Sequence, residues 1–268
     1  MKTKNLAAIE KPVVIFVPGG IMPGDLSYAP LLRALGDQVQ PIVKDLEVYA
    51  TDMPPACYGL DVEVEGIRRV ADAACAKRFH LVGYSGGGAF SLAFTAKYPE
   101  RLSSLALIEP AWVGAPTLDD AVDWTELNRV MTLPSDEQMQ AFARWQMRPG
   151  VQPPSIPLPL GPPPAWMSMR PAGLKAISRA FNSYNLDQDR YRLMDRPVFF
   201  ALGSLSTRFY ERAAHRLSGL FPDFQVEEYE GRSHFDPPHR AEPERFSRAL
   251  LELWARASTG LVTEKTRA

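Results

Sequence analysis

Cysteine is scarce in this chain: two of 268 residues, Cys57 and Cys75. Two thiols at this separation make neither a disulfide framework nor a metal-ligand spacing. Cys75 falls in a stretch of helical periodicity and is expected to be an inert core thiol. An excess of one charge is also lacking. Thirty Lys and Arg face thirty-one Asp and Glu, a formal net charge of −1, which argues against nucleic acid or an anionic membrane as partner. Long apolar runs are missing too. Near the start only residues 6–9 are continuously apolar, too short for the core of a signal peptide, and no run approaches membrane-spanning length. A cytoplasmic location is therefore expected. No glycine-rich stretch ends in the Lys-Ser/Thr of a P-loop, and no G-x-G-x-x-G is present. No cofactor and no metal site is expected, which leaves a small-molecule substrate as the partner to look for.

What is present centres on one stretch. A short apolar run, residues 79–82, turns abruptly into Gly83-Tyr84-Ser85-Gly86-Gly87, followed by a helix-compatible run that Pro99 closes. This satisfies G-x-S-x-G, a tight strand-to-helix turn that lifts a serine hydroxyl clear of the sheet. Side chains two positions either side of the serine would collide with neighbouring backbone, so both must be very small. The hydroxyl then stands at the positive end of the following helix.

Around this turn the chain alternates strand and helix. Residues 12–17 read as a buried strand ending at Pro18-Gly19-Gly20, residues 27–36 as a short helix, and residues 38–46 as a weaker strand interrupted by Pro41. A helix over residues 61–76, the motif strand and its helix, and a strand over residues 103–108 follow. Strand, helix and strand in repetition specify an α/β fold with a mostly parallel, doubly wound sheet. Because the first clear strand begins near Pro12, at most one short strand is expected before Lys11. Between residues 112 and 194 no strand period appears. Aromatic and methionine side chains are scattered among polar helical segments, and a proline-dense link spans residues 149–164. This reads as a helical insertion (112–194) into a core of residues 1–111 and 195–268. Tyr84, within the motif, and Trp112, Trp145 and Trp166, in the insertion, are candidates to contact substrate; core packing is the competing reading for the aromatic residues of the insertion. Strands resume over residues 197–202 and 224–229, and Pro243 opens a final helix.

A serine needs a base to take its proton. Of the four histidines, His80 lies inside a strand, His215 in the middle of a helix, and His239 after Pro237-Pro238, as expected of a surface residue. His234 follows the last strand in a loop at the carboxyl edge, where parallel sheets collect functional groups. It is the candidate base.

The strand ending Pro18-Gly19-Gly20, the Gly83–Gly87 turn, Tyr98-Pro99-Glu100-Arg101-Leu102 and Gly231-Arg232-Ser233-His234-Phe235 together resemble the α/β-hydrolase superfamily. The resemblance covers residues 11–111 and 195–256, and it implies that the insertion at 112–194 is the family's helical cap. It implies a nucleophile–acid–base triad with the acid just beyond the strand at residues 197–202. Gly203-Ser204-Leu205-Ser206-Thr207 stands there, with Ser206 in the acid's place and no carboxylate. Some haloalkane dehalogenases and related members carry the acid at the end of the preceding strand instead. Glu109 occupies that position, directly after residues 105–108, and is the candidate acid; Asp236 is a distant third choice. The resemblance also implies an oxyanion hole formed by the Gly86 amide and a second amide after the first strand, from Gly20 or else Ile21. A serine nucleophile disfavours dehalogenase and epoxide-hydrolase chemistry, which need a carboxylate. The leading expectation is a cofactor-free serine esterase-like hydrolase acting on a modest, apolar acyl substrate. A carbon–carbon bond hydrolase, a lyase, a cofactor-independent dioxygenase or a non-catalytic ligand-binding module are the alternatives.

Overall fold

A computed structural model describes residues 11–114, 121–153, 164–184 and 186–265. The expected strand before Lys11 and most of the proline-dense link lie outside these residues.

Six strands form one sheet: β1 (Val13–Val17), β2 (Gln40–Val43), β3 (Phe79–Tyr84), β4 (Leu102–Ile108), β5 (Val198–Gly203) and β6 (Phe224–Tyr229). Their order is β2-β1-β3-β4-β5-β6, and every neighbouring pair is parallel. The four inner strands are almost wholly buried. The two edges are partly exposed, and this is why Pro41 is tolerated in β2: an edge strand has one row of N–H groups without ladder partners.

Alternation along the strands divides the core in two. Val17, Leu81, Leu105, Leu107 and Phe200 face one side, together with residues of α2 (Leu60–Ala73), α3 (Gly86–Lys97) and the segment between β4 and β5. Phe16, Val82, Ala106, Ile108 and Ala201 face the other side. There Tyr28, Leu31 and Leu35 of α1 (Gly24–Leu35) meet Phe246, Leu250 and Trp254 of the terminal helix. Eleven residues of α3 are buried. A helix with so little polar surface belongs in the interior, which suits one that begins at the serine. Between β4 and β5 run α4 (Ala121–Met131), α5 (Ser135–Trp145) and α6 (Arg170–Ser183). The chain finishes with α7 (Phe209–Ser218), the short α8 (Pro238–Ala241) and α9 (Pro243–Lys265).

Two expectations are corrected here. Cys75 is exposed and has φ 52°. It sits just past α2, where its own N–H bonds to the Asp72 carbonyl and that of Ala76 to the Ala71 carbonyl. That pair of bonds is a Schellman stop, which puts a left-handed residue at this place and turns its side chain out of the helical stripe. His239, expected at the surface, is fully buried. α8 tucks it against the rings of Tyr28 and Tyr84. His215 is exposed on α7, and His80 is buried with its Nδ1 2.7 Å from Ser104 Oγ. Among the described residues no helix is long and apolar enough to cross a membrane, and no cluster of three His, Cys, Asp or Glu side chains is arranged to hold a metal.

Candidate active site

The sheet register brings the site together. Tyr84 pairs with Ile108, and Ile108 with Ala201, so the residues that follow β3 and β4 emerge side by side. Each ladder runs one bond further: the Ser85 N–H donates to the Ile108 carbonyl at 2.9 Å, and the Glu109 N–H to the Ala201 carbonyl at 3.2 Å. Both residues then leave the strands with positive φ, 53° for Ser85 and 43° for Glu109. That conformation is strained in non-glycine residues and is held by the surrounding structure. The glycines explain how the turn fits. A Cβ on Gly87 would lie 2.2 Å from the Val17 carbonyl oxygen, and one on Gly83 would lie 2.6 Å from the Gly87 carbonyl oxygen.

His234 reaches the same point from the loop after β6. Gly203 lets this loop approach, since a Cβ there would be 2.4 Å from the Arg232 carbonyl oxygen. The Leu205 N–H closes the contact by donating to that carbonyl at 2.9 Å. His234 Nε2 lies 3.0 Å from Ser85 Oγ, and Nδ1 lies 2.8 Å from Glu109 Oε2. The other oxygen of Glu109 accepts the Gly203 N–H at 2.7 Å. All three side chains are buried. The Glu109 carboxylate thus has both oxygens bonded, the condition under which a buried charge is tolerable. Asp236 turns away to pair with Arg232 at 2.6 Å.

The imidazole is held on several sides. Tyr210 stacks flat on it, with centroids 5.0 Å apart and planes 5° from parallel, and Phe235 meets it edge-on. The Tyr84 hydroxyl donates to the His234 carbonyl. Burial, and after it the Glu109 charge, pushes both tyrosine phenols upward, so both remain O–H donors. Tyr210 spends its donor on Gln146 Oε1, at 2.5 Å. Tyr210 and Tyr84 as a supporting tyrosine were not evident from the sequence; the only signal for either was an aromatic residue in a position that many roles would suit.

Gly19 passes close to the serine: a Cβ on it would be 3.1 Å from Ser85 Cβ. A Cβ on Gly86 would be 3.5 Å from the Gly20 nitrogen, so the two amides lie near one another. Among the described residues neither N–H has a backbone acceptor. Ile21 is half-buried beside them. The Gly20 carbonyl accepts the Tyr49 hydroxyl at 2.5 Å, which fixes the loop's orientation.

Ser206 is buried, and its hydroxyl has no partner. Its backbone instead bridges to Met147, while Thr207 N–H bonds to the Gln146 carbonyl and Arg148 N–H to that of Leu205. The loop after β5 therefore anchors the end of α5. Of the aromatic candidates, Trp112 is fully buried with its ring along Phe181. Trp145 is half-buried against Phe209, and Trp166 lies over Arg170.

Comparison with known proteins bears on the fold. One relative, 2-hydroxy-6-oxo-6-phenylhexa-2,4-dienoate hydrolase of Comamonas testosteroni, is 43% identical over 54 residues. That match spans 20% of this chain and 19% of the relative, so the chain matches only about a fifth of the curated relative's length. Among solved structures, a hydrolase from Pseudomonas aeruginosa PA01 superposes with a TM-score of 0.67 at 19% identity, covering 92% of this chain and 91% of the other. Carboxylesterase CesB from Bacillus subtilis gives 0.64 at 19%, covering 91% and 84%. At such identities the likeness is one of fold. The family model for the alpha/beta hydrolase fold matches residues 12–153, more than half of the chain, and the protein belongs to that family.

Proposed function

We propose that this protein is a cofactor-free serine hydrolase acting on an ester or related acyl substrate through an acyl-enzyme. The observation that carries the proposal is the unbroken line from Ser85 Oγ to His234 Nε2 at 3.0 Å and from His234 Nδ1 to Glu109 at 2.8 Å. His234 takes the serine proton as Ser85 attacks the carbonyl, then returns it to the leaving group. Glu109 fixes the tautomer and offsets the imidazolium charge. The N–H groups of Gly86 and Gly20 face the developing oxyanion, each worth on the order of 3 kcal/mol in the transition state. Water then attacks the acyl-enzyme, with His234 again as base. Helices α4–α6 act as the cap, and their aromatic side chains supply the apolar wall.

A fluorophosphonate probe tests this directly. Stoichiometric labelling is expected on Ser85 and is expected to vanish in His234→Ala. A well-folded protein that neither reacts with the probe nor turns over any acyl ester would instead be a binding module.

The Comamonas relative favours a second reading, hydrolysis of a carbon–carbon bond next to a ketone, with the same serine and histidine. Parallel assays on a β-diketone and on a matched ester separate the two.

A further inference from the structure

The inner face of α6 lies over the glycine loop. Methyl groups of Leu174 and Ile177 would be 3.0 and 3.3 Å from a Cβ on Gly20, and Phe181 meets Phe90 and Trp112. None of these side chains is charged or forms hydrogen bonds. One turn earlier on the same face comes Arg170, at the i, i+4 position to Leu174. It is only 5% exposed. Its guanidinium carbon is 3.8 Å from the centre of the Tyr49 ring and 5.1 Å from that of Trp166. Stacking engages the flat face of a guanidinium and leaves its in-plane N–H groups to find acceptors. Among the described residues no carboxylate pairs with Arg170, and its Nε donates to nothing. Its polar neighbour is the Tyr49 phenol, which burial pushes up to about 12 and the guanidinium draws back. That phenol in turn holds the Gly20 carbonyl at 2.5 Å.

A cation this deeply buried is costly without an anion. A planar fork beside an apolar ceiling matches one chemistry well, the bidentate geometry of a carboxylate. We propose that Arg170 is the subsite for a carboxylate carried by the substrate. The preferred molecule then has an acyl carbon at Ser85, an apolar body under Leu174 and Ile177, and an anionic end at Arg170. This deepens, and rests on, the hydrolase reading.

Matched 4-nitrophenyl esters test the subsite: monoesters of linear dicarboxylic acids of increasing length, each against its neutral methyl-capped twin. At the fitting length kcat/KM is expected to favour the anionic twin by about tenfold or more, the worth of a charge-assisted bond. Arg170→Gln should bring the ratio close to one. Arg170→Lys, which keeps the charge and loses the fork, should retain part of the preference. No preference at any length, or a preference that Arg170→Gln leaves intact, overturns the proposal. The ratio is read, not the rate, so a loosened α6 does not mimic the result. Should neither twin be hydrolysed, tryptophan fluorescence of Ser85→Ala titrated with the free dicarboxylates gives the answer without turnover. Saturation that disappears in Ser85→Ala/Arg170→Gln supports the subsite; saturation that persists, or none at all, overturns it.

Discussion

His234 and His239 are five positions apart, both buried, and both pack on the ring of Tyr84, at 5.1 and 4.8 Å. Yet their chemistry differs because of what faces their ring nitrogens. His234 has a carboxylate on Nδ1 and a hydroxyl on Nε2. His239 has only the Ser27 hydroxyl, 3.3 Å from Nε2, and its Nδ1 is without a partner. Burial, then the charges of Arg240 and His234, drives the His239 pKa well below the ordinary histidine range. Burial without a facing anion keeps the His239 ring neutral, whereas the His234 ring is set between a carboxylate and a hydroxyl.

Glu109→Gln is the sharpest way to break this contrast. The amide oxygen keeps an acceptor for the Gly203 N–H, so the fold is retained, while His234 loses the anion facing Nδ1. Turnover of any ester substrate should fall about 10³- to 10⁴-fold, as when the acid of a serine triad is neutralised, with a smaller effect on KM. Unchanged turnover would falsify the assignment of Glu109 as the acid.

Acid should act on the carboxylate-free histidines through stability rather than activity. Burial depresses the His80 pKa to about 4, against about 6.5 in an unfolded chain. The unfolded state therefore binds the extra proton between these values, and its contribution to stability, full above about pH 6.5, is lost as pH falls through 4. The loss approaches about 3 kcal/mol, and His239 adds to it in the same direction. Chemical denaturation across pH 4–7 should show this slope, and His80→Asn, which keeps a polar partner for Ser104 and does not titrate, should flatten it. Equal slopes in the two proteins would mean that His80 stays solvated.

How much of this was legible in the sequence follows from the range of the interactions. The serine turn is local: the spacing of Gly83, Ser85 and Gly87 carries its own steric reason. Glu109 was legible through the family resemblance, which in some members puts the acid at the end of that strand; the residues alone show a carboxylate closing an apolar run. His239 was misread because its burial comes from α8 docking on α1, which Pro237-Pro238 does not encode. Cys75 was misread because a helical stripe continued past the true stop, and no glycine marks the left-handed residue there. Ser206 could be seen as lacking a carboxylate, but not as an anchor for α5, since that contact joins residues sixty positions apart by backbone alone. Arg170 showed no pattern at all: a single arginine gains meaning only once its neighbours are known.

The smallest expected effect concerns Tyr84, which the sequence suggested as a substrate contact. In the structure its hydroxyl donates to the His234 carbonyl and its ring lies between the two histidines. Tyr84→Phe keeps the ring and removes one buried hydrogen bond, at a cost of about 1 kcal/mol, or roughly 2–4 °C in Tm for a chain of this size. If Tyr84 acts by holding the His234 loop, kcat should fall severalfold while KM for a series of apolar esters stays level, because the substrate loses no contact. A change in KM that grows with acyl length would put Tyr84 in the pocket wall instead. The same measurement therefore decides whether the residue before Ser85 serves the His234 loop or the substrate.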